Sequence, residues 1–313
     1  MGIFILRRLL LTLPVIAVVA LFVFGLLYVA PGDPATMIAG DQATPADVER
    51  IRVSLGLDQP FAIRFSAWAL GALHGDLGNS LFSGQSVASM IVQRIPPTLS
   101  LMVLTLLISV SAAVPMGVVA AAGQGGLIDR AVSVFAVLGF SLPVFVLGYL
   151  LAYAFALQLG WFPVQGYAPP SGGLGPFLGH LVLPALALSG GYIALITRIT
   201  RSTMLEVLSQ DYVRTAKAKG VARSSILFAH ALKNAALPIV SIIGIGVATL
   251  ISGAVVTETV FGIPGLGRLV VDALLRRDYP IIQGVVLVFS FTYIFVNLAI
   301  DVLYTLLDPR IRY

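Results

Sequence analysis

Six stretches of this chain are apolar for 17 to 27 residues each, and together they contain one charged side chain, Asp301. An α-helix needs about 20 residues to cross the hydrocarbon core of a bilayer. Only 11% of the residues are charged, against roughly 25% in a soluble domain. The pattern predicts an all-α polytopic membrane protein with six transmembrane helices, at residues 9–29, 98–122, 131–157, 181–197, 235–256 and 281–306.

The first apolar stretch has 21 uncharged residues. The apolar core of a cleaved signal peptide has about 7–15 residues, so this stretch is interpreted as a retained span. Pro115 and Pro143 lie inside the second and third stretches. Proline frees a backbone carbonyl and tends to kink a helix, which a helix bundle tolerates where neighbours satisfy the freed group.

The basic residues predict the orientation of the chain. Arg7 and Arg8 precede the first span, and twelve of the nineteen Lys and Arg residues fall on their side of the membrane. Seven fall on the other side, so both termini are predicted to be cytoplasmic in the cell (inner) membrane. The predicted domains are residues 1–94 with the first span and an external segment, residues 95–307 with five spans, and a cytoplasmic tail at 308–313.

The external segment contains two predicted helices. Thr44 followed by Pro45 is typical of a helix N-terminus, and Gly56 is suited to close that helix. The stretch at residues 60–75 has an aromatic-rich apolar face that includes Trp68. It is suited to a helix lying at the outer membrane surface. A packed external cap is the alternative.

A polar, basic segment at residues 210–234 separates the fourth and fifth stretches. A short helix is predicted from Tyr212 to Lys219, with Asp211 as its N-terminal cap and Gly220 as its C-terminal stop. Tyr212 and Ala216 share one face at spacing i, i+4. A short helix with a small, smooth face and a basic rim is suited to another protein's groove. The alternative is a solvated positive loop.

Two motifs in this segment, DYVRTAKAKG at 211–220 and HALKN at 230–234, resemble the cytoplasmic loop of ABC importer permeases in the peptide and nickel branch. The general pattern of that loop is Glu-Ala-Ala, three residues, then Gly, and this chain has Arg214-Thr215-Ala216 before Gly220. The resemblance covers nearly the whole chain. The other fragments that resemble the B-type membrane subunit of dipeptide and oligopeptide importers are APGDPA, LGLDQP, GDLGNS, TETVFGIPGLGRL and DPRIRY.

This resemblance implies a type I ABC importer fold and a coupling helix, within a cytoplasmic loop at 199–234, that docks on an ATPase. The residues implied in docking are Tyr212, Arg214, Thr215, Ala216, Lys217 and Gly220. The implied partners are a second homologous permease, two cytoplasmic ATPase subunits and an extracytoplasmic peptide-binding protein. The implied cargo is a short peptide, with nickel and glutathione as alternatives.

Catalysis by the chain itself is not expected. There is no Gly-Lys pair, so no phosphate-binding loop of the G-x-x-x-x-G-K-[ST] type is present. The three histidines, His74, His180 and His230, lack ligand spacing, and neither a metal nor a cofactor is predicted. A secondary transporter is the alternative from another class, but it would need broken helices and intramembrane charges in two related halves.

Weaker patterns name two more sets of residues. An apolar, Gly-rich loop after the fifth span is predicted either to contact the binding protein or to fold back over the pore mouth, and its residues are Glu258, Phe261, Gly262, Pro264 and Gly265. Small residues on the fifth span are expected to pack helices or to line the path; they are Gly244, Ala248 and Ser252. Asp301 is a candidate pore residue because it is ionisable and lies inside the sixth span, but a structural pairing with Arg198 or Arg201 is preferred for it.

Overall fold

The computed structural model describes residues 2–29, 33–40, 43–54 and 56–307. Within these ranges the regular structure is helical, with one isolated β-bridge between Asn79 and Ser86. The helices in chain order are α1 (Gly2–Val29), α2 (Pro34–Ala39), α3 (Pro45–Ser54), α4 (Phe61–Leu73), α5 (Val87–Ala122), α6 (Leu127–Ser141), α7 (Val144–Leu151), α8 (Leu174–Leu208), α9 (Asp211–Ala218), α10 (Arg223–Ser225), α11 (Leu232–Val260), α12 (Leu266–Arg276) and α13 (Tyr279–Leu307).

Four helical segments in the described part of the chain are long and apolar enough to cross a membrane: Val87–Ala122, Leu174–Leu208, Arg223–Val260 and Tyr279–Leu303. The third of these joins α10 and α11 through a π-helical turn at Ile226–Ala231. The apolar segment found in α1, Leu10–Gly25, is shorter than these four. The predicted count of six spans is therefore approximate, although the all-helical architecture is confirmed.

The predicted third span is not one helix. α6 and the helical segment Val144–Gln158 are bent by 102° at the break between them, so the two count as one broken span or a re-entrant pair. The break lies at Leu142 and Pro143. Pro143 has no N–H to continue the ladder of α6, and proline disfavours helical backbone in the residue before it. The expected kink is thus a complete interruption.

The chain divides into two compact units: Met1–Pro96 with Arg268–Ile294, and Pro97–Gly267 with Phe295–Tyr313. The boundary predicted near residue 95 stays a prediction, and the predicted tail at 308–313 lies outside the described residues. A core cluster of the second unit joins α5, α8, the π-helical turn and α11 through the buried side chains of Val118, Ala121, Met204, Ala231, Ala235 and Ile239.

In the first unit, α3 has the predicted start. Thr44 Oγ1 accepts a hydrogen bond from the Asp47 amide at 3.3 Å, and Asp47 Oδ2 accepts from the Thr44 amide at 3.0 Å. This reciprocal pair satisfies amides that the first helical turn leaves open. Hydrogen bonds from Thr44 hold the pKa of the Asp47 carboxyl below its usual range. Gly56 takes φ +63°, as a helix stop requires.

The aromatic face of α4 packs on α1. The ring of Phe24 lies 5.3 Å from that of Trp68 and 5.5 Å from that of Phe65. Aromatic pairs at such distances contribute beyond their buried area. Trp68 therefore packs against α1, while the opposite face of α4 leaves Ile63 and Leu70 exposed, and the choice between a surface helix and an external cap stays a prediction.

Candidate functional site

The short helix predicted in the polar segment is α9. The predictions for its two ends have different outcomes. Asp211 is its first residue rather than its cap, because Gln210 occupies the capping position and makes no side-chain hydrogen bond to the helix. The assignment of Asp211 as N-cap is therefore wrong. Gly220 takes φ +74°, and its amide donates to the carbonyl of Lys217 at 3.0 Å. The predicted glycine stop is confirmed.

The faces of α9 also differ from the prediction. Val213 is fully buried, which fixes the inward side of the helix. Ala216 is half-buried, whereas Arg214, Thr215 and Ala218 are exposed. Successive residues of an α-helix are rotated by about 100° around its axis, so Thr215 lies almost opposite Val213. The outermost surface of α9 is thus centred on Thr215, and Ala216 lies closer to the packed side.

One hydrogen bond connects α9 to α11, and a second ties the helix that follows α9 to α5. The Tyr212 hydroxyl accepts from Asn234 Nδ2, at the start of α11, at 3.0 Å. The Arg223 guanidinium donates to the carbonyl of Ala122, the last residue of α5, at 2.5 Å. Lys217 points into a cleft of about 710 Å³ that also contains the ends of α5 and α8. α9 is therefore held by its flanks, and its outer surface remains open.

An ion pair that the sequence did not reveal joins α6 and α8. Arg201 donates from Nε to Asp129 Oδ1, and from a terminal nitrogen to Asp129 Oδ2 at 2.8 Å. The amide of Gly125 donates to the same carboxylate at 2.9 Å. Arg201, proposed as a partner of Asp301, thus pairs with Asp129. Asp129 was missed because one acid between two spans has no distinguishing local pattern.

The loop after α11 folds inward around a buried carboxylate. Glu258 is 0% exposed and accepts from the Thr98 hydroxyl at 2.5 Å. That hydroxyl also accepts from the amide of Leu266 at 2.8 Å. A Cβ on Gly265 would overlap the Glu258 carboxylate. The glycine therefore provides the space that the carboxylate occupies.

This burial changes the prediction for that loop. Phe261 is 2% exposed and Gly265 is buried, so neither these two nor Glu258 forms an exposed contact surface on this chain. Thr98 supplies the partner for the carboxylate, while the choice between contact with the binding protein and folding back over the pore mouth stays a prediction. Gly262 and Pro264 remain partly exposed.

The small residues of α11 have separate roles. A Cβ at Gly244 would overlap Ile300, and one at Gly246 would overlap the ring of Tyr192, so these glycines allow close helix packing. Ala248 is half-buried, and Ser252 is exposed. Ser252 also faces a cavity of about 460 Å³. Helix packing thus explains Gly244, and only Ser252 of the predicted row faces open space.

Comparisons with known proteins agree with this architecture. A protein of Sinorhizobium fredii (strain NBRC 101917 / NGR234) named probable peptide ABC transporter permease is 53% identical over 313 residues, covering 100% of both chains. The glutathione transport system permease of Escherichia coli O6:H1 is 40% identical over 310 residues, covering 99% of both. A structure of the MetNI methionine ABC transporter in an inward-facing conformation matches 70% of this chain and 96% of its own, with TM-score 0.59 and 17% identity, which supports the fold.

Two family models together match almost the full length. Residues 1–102 match the N-terminal part of the membrane components of binding-protein-dependent transport systems. Residues 113–313 match the model described as binding-protein-dependent transport system inner membrane component. The chain therefore belongs to the family of inner membrane components of binding-protein-dependent transport systems.

Proposed function

We propose that this chain is one of two permease subunits of an ABC importer that takes up short peptides. Two cytoplasmic ATPase subunits hydrolyse the ATP, an extracytoplasmic binding protein delivers the cargo, and the chain itself is not an enzyme and needs no cofactor. The observation that carries this proposal is α9, a short helix with an open outer surface held between α8 and α11. Such a helix is suited to a groove on a partner.

The proposed mechanism uses α9 as a coupling helix. A coupling free energy between ATP hydrolysis and cargo movement requires an element that responds to both. Closure of the ATPase dimer displaces α9. The hydrogen bonds from Asn234 to Tyr212 and from Arg223 to Ala122 then carry that displacement to α11 and α5. The residues proposed at the docking surface are now centred on Thr215, with Arg214 and Ala218 beside it.

The cargo proposal rests on the printed names of relatives. The relative at 53% identity is named for peptides, and the one at 40% identity is named for glutathione, so glutathione is retained as the second candidate. Nickel, the third alternative, is supported here by the motif resemblance alone. Family membership argues against the self-contained secondary transporter.

Uptake by the assembled transporter tests the proposal. The proteoliposomes contain this chain, its second permease, both ATPases and the binding protein. We expect them to accumulate a labelled tripeptide only when ATP is supplied on the side of the membrane where the ATPases lie. This chain purified alone should hydrolyse no ATP, because it has no phosphate-binding loop. Accumulation without ATP, or uptake of nickel with no peptide uptake, would contradict the proposal.

Orientation gives a separate prediction, because the twelve-to-seven distribution of basic residues predicts cytoplasmic termini. The chain has no cysteine, so single cysteines can be introduced without background. In intact cells, an impermeant maleimide should label Leu73→Cys, whose side chain is 83% exposed, and should label Ser209→Cys only after permeabilisation. Labelling of Ser209→Cys from outside reverses the assignment.

A further inference from the structure

α6 and α8 border a groove of about 310 Å³ in the second unit. One wall is a stripe of α6 side chains at spacings of four and three residues, and the other wall comes from one turn of α8. The α6 stripe includes Ser133, Val137 and Phe140, and the α8 wall is formed by Thr197, Arg198 and Arg201. From its first to its last residue the α6 stripe is about 10 Å long, at 1.5 Å per residue.

The groove is polar at one end and apolar at the other, because α6 and α8 run in opposite directions. Asp129, near the start of α6, pairs with Arg201. Further along α6, a Cβ added to Gly139 would lie 3.2 Å from the Cβ of Ala194, which precedes Arg201 on α8. The charged and hydroxyl groups of both walls therefore lie at the end near the ion pair. The ring of Phe140 lies at the other end.

Arg198 brings a positive charge to the polar end that nothing in the described part of the chain neutralises. Its side chain is exposed and makes neither a hydrogen bond nor an ion pair with any other described residue. Arg201, by contrast, is occupied by both carboxylate oxygens of Asp129. The hydroxyl of Ser133 also lacks a hydrogen-bond partner among the described residues. A guanidinium and a hydroxyl that are both available are suited to the oxygens of a phosphate group.

The depth of the groove in the membrane indicates what carries that phosphate. Arg198 directly follows the apolar run at 181–197, so it is expected at the level of the lipid headgroups on the predicted cytoplasmic side. Anionic lipids give that leaflet its negative surface potential. Val137 and Phe140 lie inside the predicted span and are 65% and 54% exposed. A soluble anion would leave these two side chains uncovered, whereas a phospholipid covers them with an acyl chain.

We infer that the groove between α6 and α8 binds one anionic phospholipid of the cytoplasmic leaflet. Its phosphate oxygens accept hydrogen bonds from the guanidinium of Arg198 and the hydroxyl of Ser133. One acyl chain lies along Val137 and Phe140. The bound lipid contacts both helices, and so it adds a second link between them beside the Asp129–Arg201 ion pair. This inference depends neither on the identity of the cargo nor on the docking surface of α9.

Native mass spectrometry of the detergent-purified transporter complex that contains this chain tests the charged end. Phosphatidylglycerol is the anionic probe, and phosphatidylcholine is the control lipid with no net charge. We expect phosphatidylglycerol to bind more tightly, and Arg198→Gln to weaken its binding at least about fivefold. Arg130→Gln is the matched control, because Arg130 is exposed one residue from Asp129 and does not line the groove. It should change the affinity less than about twofold.

A second pair of variants tests the apolar end without changing any charge. Val137→Trp fills the groove and is expected to prevent binding of phosphatidylglycerol. Val134→Trp is its control, since Val134 is 59% exposed on α6 and does not line the groove. Equal effects of the two tryptophan variants would contradict an acyl chain in the groove.

Four other results would overturn the inference. Equal losses with Arg198→Gln and Arg130→Gln would reduce the effect to general surface charge. Equal affinity for phosphatidylcholine would remove the role of the anionic headgroup. Displacement of the lipid by glycerol phosphate at similar concentrations would identify a site for a free phosphate. Binding only when this chain is purified without a second permease would identify the groove as a subunit contact. Peptide uptake enters none of these readouts, so a failure of the proposed function is recognised separately.

Discussion

Replacing Thr215 with glutamate is expected to detach the ATPase subunits and stop transport. Thr215 is exposed at the centre of the outer surface of α9, opposite buried Val213. In a docked complex the new carboxylate is desolvated without a partner, which costs several kcal/mol. Since about 1.4 kcal/mol already changes affinity tenfold, we expect a loss of at least about a hundredfold. Co-purification of the ATPases with the permease pair measures it.

Matched variants separate docking from helix formation. Thr215→Ser keeps the hydroxyl that donates to the Asp211 carbonyl at 3.0 Å and should retain near-normal assembly. Lys219→Ala removes an exposed charge whose contribution is at most about 1 kcal/mol. Normal stoichiometry and transport with Thr215→Glu would show that α9 is only a positive loop.

Gly220, which ends α9, allows the effect of backbone conformation to be tested separately from side-chain contacts. No atom lies within 4 Å of a Cβ built on Gly220, and its φ is +74°. Substitution there therefore tests backbone conformation alone. Gly220→Val should weaken docking because β-branched residues are strained at positive φ, whereas Gly220→Asn should be tolerated better.

The second large effect is expected at Gly246, where replacement by alanine should destabilise the fold. A Cβ there would overlap the Tyr192 ring, with Cζ at 2.5 Å and Cδ2 at 2.7 Å. The ring cannot move aside easily, because Tyr192 is 6% exposed and its hydroxyl donates to the carbonyl of Ile243. Overpacking of this kind costs about 1–3 kcal/mol or more. The thermal midpoint of the detergent-purified protein measures the loss.

Gly25→Ala is the matched control, since a Cβ there meets nothing within 4 Å. Alanine in an open helical position is favoured over glycine by about 0.5–1 kcal/mol, so this variant should be neutral or slightly more stable. Adding Tyr192→Leu to Gly246→Ala should recover part of the loss by removing the obstructing ring. Equal stability of Gly246→Ala and the parent would refute this account of the α8–α11 contact.

Apolar length and charge predicted the architecture well because lipid imposes both requirements locally. A helix in hydrocarbon must satisfy its backbone hydrogen bonds within itself, so its sequence is recognisable as one uninterrupted run of apolar residues. The Gly220 stop and the Thr44–Asp47 pair were predictable for the same reason, since each depends on residues within one turn.

The missed features depend on residues far apart in the chain. Glu258 is buried because Thr98, 160 residues earlier, donates to it. Asp129 finds Arg201 across 72 residues. The bend at Pro143 is a complete break, whereas α8 continues through Pro184 and α11 through Pro238. A proline in an apolar run therefore does not by itself predict whether the helix continues or breaks, because the packing of its neighbours decides this.

Two contacts between α5 and the helix that contains α11 have a mechanical consequence. α10, the π-helical turn and α11 form one uninterrupted helix of 38 residues, a rod of about 57 Å at 1.5 Å per residue. Arg223 ties one end of this rod to Ala122 of α5, and Glu258 ties the region near its other end to Thr98 of the same helix. Two rods that are tied together at two well-separated points move as one body.

In such an arrangement neither α5 nor the helix that contains α11 can tilt without the other. A rotation of about 10° about the middle of the longer rod carries its two ends about 5 Å in opposite directions, given its length. A push applied beside α9 is therefore expected to reach the Glu258 turn on the far side of the bilayer as the same rigid rotation, with α5 carried along.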